Sequence, residues 1–160
     1  MNKTALLADI LAALLNAQTQ ALSAAAEAHQ TATHAENVAE NKYDTLGLEA
    51  AYLAHGQSQR VVTCSADLKA FASLRPTPWP ANDRIGVGAL VCLDAVDTAL
   101  RWLYLGPGAG GLRVAFGAIE VVVVTSAAPL GQQLLGRHLG DDISITVAGK
   151  QQEYVIAQIL

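Results

Sequence analysis

Arg75-Pro76-Thr77-Pro78-Trp79-Pro80 divides the chain into two kinds of sequence. Three prolines in this run forbid a continuing helix and favour an extended connector. Residues 1–74 hold no proline and only Gly47 and Gly56, whereas eleven of the thirteen glycines lie beyond residue 80. The reading is an α+β chain. A long antiparallel α-helical hairpin of coiled-coil type is expected over 1–75, with its tip near 33–44. A Pro-rich linker spans 76–80, and a small β-rich domain with one short helix spans 81–160.

In the first part, Leu7, Leu11, Leu14, Ala21 and Ala25 recur at helical spacing, as do Ala50, Ala54, Val61, Cys64 and Leu68, with Phe71 nearby. The two sets mirror each other. Leu7 with Leu68, Leu11 with Cys64, Leu14 with Val61, Ala21 with Ala54 and Ala25 with Ala50 have numbers summing to 75, as do Gln18 and Gln57. Such symmetry suits a hairpin folding back about residues 37–38. Each arm of about 30 residues would reach about 45 Å.

In the second part, strands are expected at Gly88–Leu93, Leu100–Leu105, Ile119–Thr125, Ile143–Val147 and Tyr154–Ile159, with a further one continuing from Leu112-Arg113. Gly106 to Gly111 is expected to be a flexible loop, Pro129–Gly136 a short helix, and Gly149-Lys150 the turn of a closing hairpin. Trp79 and Trp102 suit a core better than a docking face.

Charge is distributed unevenly. Residues 20–59 carry Glu27, Glu36, Glu40, Asp44 and Glu49 against Lys42 alone, a local charge of −4. That equals the formal charge of the whole chain. Glu36, Glu40 and Asp44 surround the expected fold-back. Carboxylates there can simply be solvated and favour a helix dipole. On a long, slender probe they can also deliver negative charge to a hard cation such as Mg²⁺ in another protein's cleft. The acidic balance, with pI near 5.4, lacks the footprint of direct DNA binding.

Other chemistry finds little support. Cys64 and Cys92 have no CxxC or His spacing, and His29, His34, His55 and His138 form no ligand set. Ser126 lacks a nucleophile-elbow context, and the Gly106–Gly111 loop lacks the Lys-Ser/Thr of a P-loop. The start of the chain superficially resembles a signal peptide, but Asp9 interrupts the apolar stretch. No membrane span is expected.

The run Ser126-Ala127-Ala128-Pro129-Leu130-Gly131-Gln132-Gln133-Leu134-Leu135-Gly136, continuing through Leu139-Gly140-Asp141-Asp142, resembles the C-terminal signature of the GreA/GreB family of transcription elongation factors. Ala128 stands where that family usually has Ser, and Arg137 where it often has Lys. Glu40-Asn41-Lys42-Tyr43-Asp44 and Gly56-Gln57-Ser58-Gln59-Arg60-Val61 resemble a diverged Gre tip and second arm. The resemblance implies an FKBP-like C-terminal domain, a bacterial cytoplasmic protein, and RNA polymerase as partner, with indirect contact to nascent RNA. It implies no enzyme and no cofactor of the chain's own. The tip acids Glu40, Asp44 and Glu36 would act at the polymerase's Mg²⁺ when it cuts a backtracked transcript. Where the family places D-x-x-E this chain has Asn37-Val38-Ala39-Glu40, while Glu40 and Asp44 share the spacing of one helical turn. Two other readings remain open: a secondary-channel regulator that does not stimulate cleavage, and a coiled-coil adaptor unconnected with transcription. The fold would also host prolyl isomerase, but residues 81–160 offer few aromatic residues to line its pocket, and fold alone does not license that chemistry.

Overall fold

The computed structural model describes residues 2–33, 46–75, 79–80, 84–95, 98–147 and 150–160. The elements run α1 (Lys3–Thr33), α2 (Leu46–Ala72), β1 (Leu90–Ala95), β2 (Thr98–Gly106), β3 (Arg113–Phe116), β4 (Ile119–Thr125), α3 (Pro129–Leu134), β5 (Asp142–Val147) and β6 (Lys150–Ile159). The α+β expectation, a long helix pair followed by a sheet domain with one short helix, is therefore met. The chain forms two compact units, Met1–Leu11 with Ala70–Leu160, and Ala12–Lys69.

In the unit of residues 12–69, α1 and α2 pack along a narrow seam. On α1, Leu14, Ala21 and Ala28 are buried at seven-residue intervals; on α2, Ala54, Gln57, Val61, Cys64 and Leu68 are half-buried at three- and four-residue spacing. This is the heptad stripe of a coiled coil. Leu14, Ala21, Ala54, Val61, Cys64 and Leu68 were legible as seam residues, but Ala28 and the pairing were not. Gln18 Nε2 donates to Ser65 Oγ at 2.8 Å, a pair whose numbers sum to 83, not 75. Gln57 lies eight residues from Ser65, about 12 Å along a helix, so Gln18 does not face Gln57. Ser65 Oγ in turn donates to Val61 O at 2.8 Å. One polar pair with its hydrogen bonds made is the feature that fixes register between otherwise interchangeable Ala-rich heptads. By length and mean hydropathy (1.3), α1 would suffice to cross a membrane. Its seam and the Gln18 bond give it a helical partner in α2.

The other unit is built on one six-stranded sheet of order β3-β4-β2-β1-β6-β5. All neighbours are antiparallel except β2 and β4, where Trp102 to Gly106 run beside Val121 to Thr125. Residues 107–118 supply the dozen-residue crossover that a parallel pair requires. One face carries Val91, Leu93, Leu103, Leu105, Val124 and Ile156, closed by Leu134 of α3. The opposite face carries Cys92, Trp102, Tyr104, Val121 and Val123, all buried. There Phe71, fully buried at the end of α2, stacks on Tyr104 with centroids 6.1 Å apart. Leu6, Leu7 and Ile10 from the start of α1 are buried in the same unit. Asn2 caps that start, its Oδ1 accepting from the Thr4 and Ala5 amides.

The Gly106–Gly111 segment is a packed corner rather than a loose loop. A Cβ on Gly106 would lie 2.7 Å from Phe71 Cζ and 2.8 Å from Val123 Cγ1. Gly111 N–H donates to Val123 O, and Val123 N–H to Leu112 O. Glycine here gives an aromatic ring access to the sheet. Trp102 is a core residue as expected; Trp79 is half-buried, with the Lys3 ammonium 5.0 Å from its ring centre.

Candidate functional site

The described arms end at Thr33 and resume at Leu46. The candidate acids Glu36, Glu40 and Asp44, the Asn37-Val38-Ala39-Glu40 run and the expected fold-back all lie outside the described residues. What leads to them is a pair of helices with little charge. Glu27 accepts from Ser23 Oγ at 3.1 Å on the exposed side of α1. Glu49 stands in the first turn of α2, where a carboxylate favours the helix dipole. Thr19, Thr31, Thr33, Ser58 and Thr63 turn their hydroxyls back to carbonyls four residues earlier. These bonds satisfy the hydroxyls within their own helix. Among the described residues no group of three or more His, Cys, Asp or Glu could hold a metal ion.

The signature-like run has a definite role in the sheet unit. Pro129 occupies the first turn of α3, preceded by Ala128 in extended backbone. Gly131 lies directly against the backbone of Thr125 and Ser126, so that any Cβ would overlap the Thr125 carbonyl. Leu134 then inserts into the core, and Gly136 (φ 79°) reverses the chain. Gly136 N–H donates to Ile85 O, and Ile85 N–H to Arg137 O, both at 2.8 Å. The spacing of Gly131, Leu134 and Gly136 is thus what seats a one-and-a-half-turn helix on a sheet. No side chain caps this helix at Ala128.

A second feature was not singled out in the sequence. A groove of about 520 Å³ opens over β2, β3 and β4. Arg101 and Val122 line it, with Arg113 and Glu120 joined by an ion pair at 3.0 Å. Arg101 Nη1 donates to Tyr154 Oη at 3.2 Å, and its guanidinium carbon lies 5.7 Å from that ring's centre. Tyr154 Oη donates to Gln152 Oε1 at 2.8 Å. The signal available in the sequence was Arg101 itself, which shares the inward parity of Leu103 and Leu105 on an apolar strand.

Cys92, fully buried in β1, has its thiol pushed up by burial and then by the Asp94 charge, so it is held as the unreactive thiol. Cys64 is half-buried in the arm seam.

No protein-family profile and no curated protein sequence matches the chain. Solved structures similar to it include the transcription factor Gfh1, at 17% identity over 93% of this chain and 92% of that one, TM-score 0.41. The GreA factor homolog 1 protein of Thermus thermophilus is similar at 17% identity over 94% of both chains, TM-score 0.41. The transcription elongation factor GreA/GreB from Nitrosomonas europaea is similar at 18% identity over 70% of this chain and 91% of that one, TM-score 0.39.

Proposed function

We propose that this chain is a diverged Gre-type accessory factor of RNA polymerase, carrying Glu40 and Asp44, with Glu36 behind them, into the polymerase's secondary channel. The observation that carries the reading is the placement of charge. Two helices of 31 and 27 residues, about 46 and 40 Å long, are joined by the segment that holds these three acids. The sheet unit, with its signature-like run, would grip the channel rim by protein–protein contact.

In this reading the chain is not an enzyme. The Mg²⁺ would be the polymerase's, and would activate water for cleavage; Glu40 and Asp44 would supply oxygen ligands and negative charge to it. The location is cytoplasmic. With a charge of −4, contact with RNA is indirect and runs through the polymerase, without direct DNA binding.

A second reading has its own support. Asn37 stands where the family places an acid, and a neutral amide contributes no charge to a metal. A channel-occupying regulator without cleavage stimulation follows from that substitution. Addition of the chain to RNA polymerase halted in a backtracked elongation complex separates the readings. The proposal expects stable association and faster shortening of the RNA 3′ end. Association without shortening selects the regulator. Absence of association overturns both and leaves the coiled-coil adaptor.

A further inference from the structure

We propose that the groove over β2, β3 and β4 binds a small organic oxyanion, a carboxylate or phosphate ester on an apolar body, with Arg101 as its anchor. The inference is independent of the polymerase reading. Arg101 is half-buried, and its only partners among the described residues are the hydroxyl and ring of Tyr154. Tyr154 is itself buried and tied to Gln152, so the guanidinium is held in one place before any ligand arrives. No carboxylate among the described residues forms an ion pair with it. A guanidinium presents five N–H donors in a fork that matches a carboxylate or phosphate edge. Among the described residues one of them is engaged.

Partial burial of a cation without a counter-charge is unfavourable, and an incoming anion relieves it. The rest of the groove fits that role. Arg113 and Glu120 neutralise each other, so the described lining residues keep a charge of +1 within a chain of −4. Ala99, Leu100, Ala118 and Ile119 supply the apolar wall, and about 520 Å³ falls within the range of small-molecule sites. A bland alternative is a snorkelling arginine whose head is merely solvated. Binding decides between them.

The test is a series of ¹H–¹⁵N spectra of the full chain titrated with benzoate, phenyl phosphate and, as a neutral control, benzamide. Both anions are expected to shift the amides of Ala99 to Leu103 and Ile119 to Val122 saturably, the tighter one identifying the preferred oxyanion; benzamide is expected to leave them in place. Arg101→Met, which keeps the stem over Tyr154, should weaken anion binding about tenfold or more, the scale of a lost charge-assisted pair. Glu120→Gln releases Arg113 at an exposed position and should tighten binding about threefold. No saturable shift with either anion, equal binding of benzamide, or unchanged affinity in Arg101→Met would overturn the proposal. So would unchanged or weaker binding in Glu120→Gln, a variant whose exposed site spares the fold.

Discussion

In the sheet unit, Leu90, Val91, Leu93, Val121, Val123, Leu134 and Ile156 are all fully buried. Among the described residues of 12–69 only Leu14, Ala21 and Ala28 are buried, while Leu15, Leu22, Leu48, Tyr52, Leu53 and Val62 stay more than half exposed. The difference follows from geometry. A sheet covered on both faces removes two layers of side chains from water, whereas two helices side by side can bury only the seam between them. Small alanines permit close approach but yield little apolar area each. The sheet unit is thus held by its core, and the arms by register and a few interhelical contacts.

The sharpest break in this contrast should come from Leu134. Leu134→Ala leaves a cavity in a closed core and should destabilise the sheet unit by about 2–5 kcal/mol in chemical denaturation. A loss below about 1 kcal/mol would mean that α3 is dispensable. Gly131→Ala forces α3 off the Thr125 backbone and should follow at about 1–3 kcal/mol, the range for overpacking.

Smaller effects are expected in the arms. Gln18→Ala should cost about 1 kcal/mol, the scale of one hydrogen bond. A double-mutant cycle with Ser65→Ala should show coupling, and a cycle with Gln57→Ala should show almost none. Coupling to Gln57 instead would restore the symmetric register and overturn the one observed.

Alkaline stability tests the second face of the sheet. Burial holds the Tyr104 phenol above its ordinary 10.0, so the folded state disfavours the phenolate. Its contribution to stability is fully present below about pH 10 and is lost as pH rises through the raised folded value. Cys92 acts in the same sense above its ordinary 9.0. Lys3, lowered by burial, acts oppositely. Tyr104→Phe should therefore leave stability near pH 7 almost unchanged and move the alkaline unfolding midpoint upward. An unmoved midpoint would show that Tyr104 does not titrate on unfolding. The smallest effect is a gain: Ala128→Ser supplies the missing cap of α3 and should stabilise by about 0.5–1 kcal/mol.

The residues themselves explain what could be read in advance. Ile119–Thr125 was legible to the residue because four consecutive valines between turn signals suit a strand buried on both faces. Most seam positions were legible from helical spacing, Ala28 excepted. Their register was not, because alanines recur so often that a shift of about two turns changes few contacts; one Gln–Ser pair decides it. The parallel pairing of β2 and β4 left no local signal, since it depends on where the Gly106 corner sends the chain. β6 begins at Lys150, earlier than expected, because Gln151, Gln152 and Glu153 pair through their backbones with β5. The tip acids were named from charge and resemblance, and the Arg101 groove emerges only when distant strands are brought together.

The central claim is that two slender arms deliver carboxylates to a partner's catalytic metal. Its most direct test is RNA cleavage by a backtracked RNA polymerase complex, with the wild-type chain beside Glu40→Ala/Asp44→Ala. The account expects the wild type to accelerate cleavage and the double variant, still bound, to fall to the unassisted rate. Undiminished cleavage with both carboxylates removed would contradict it.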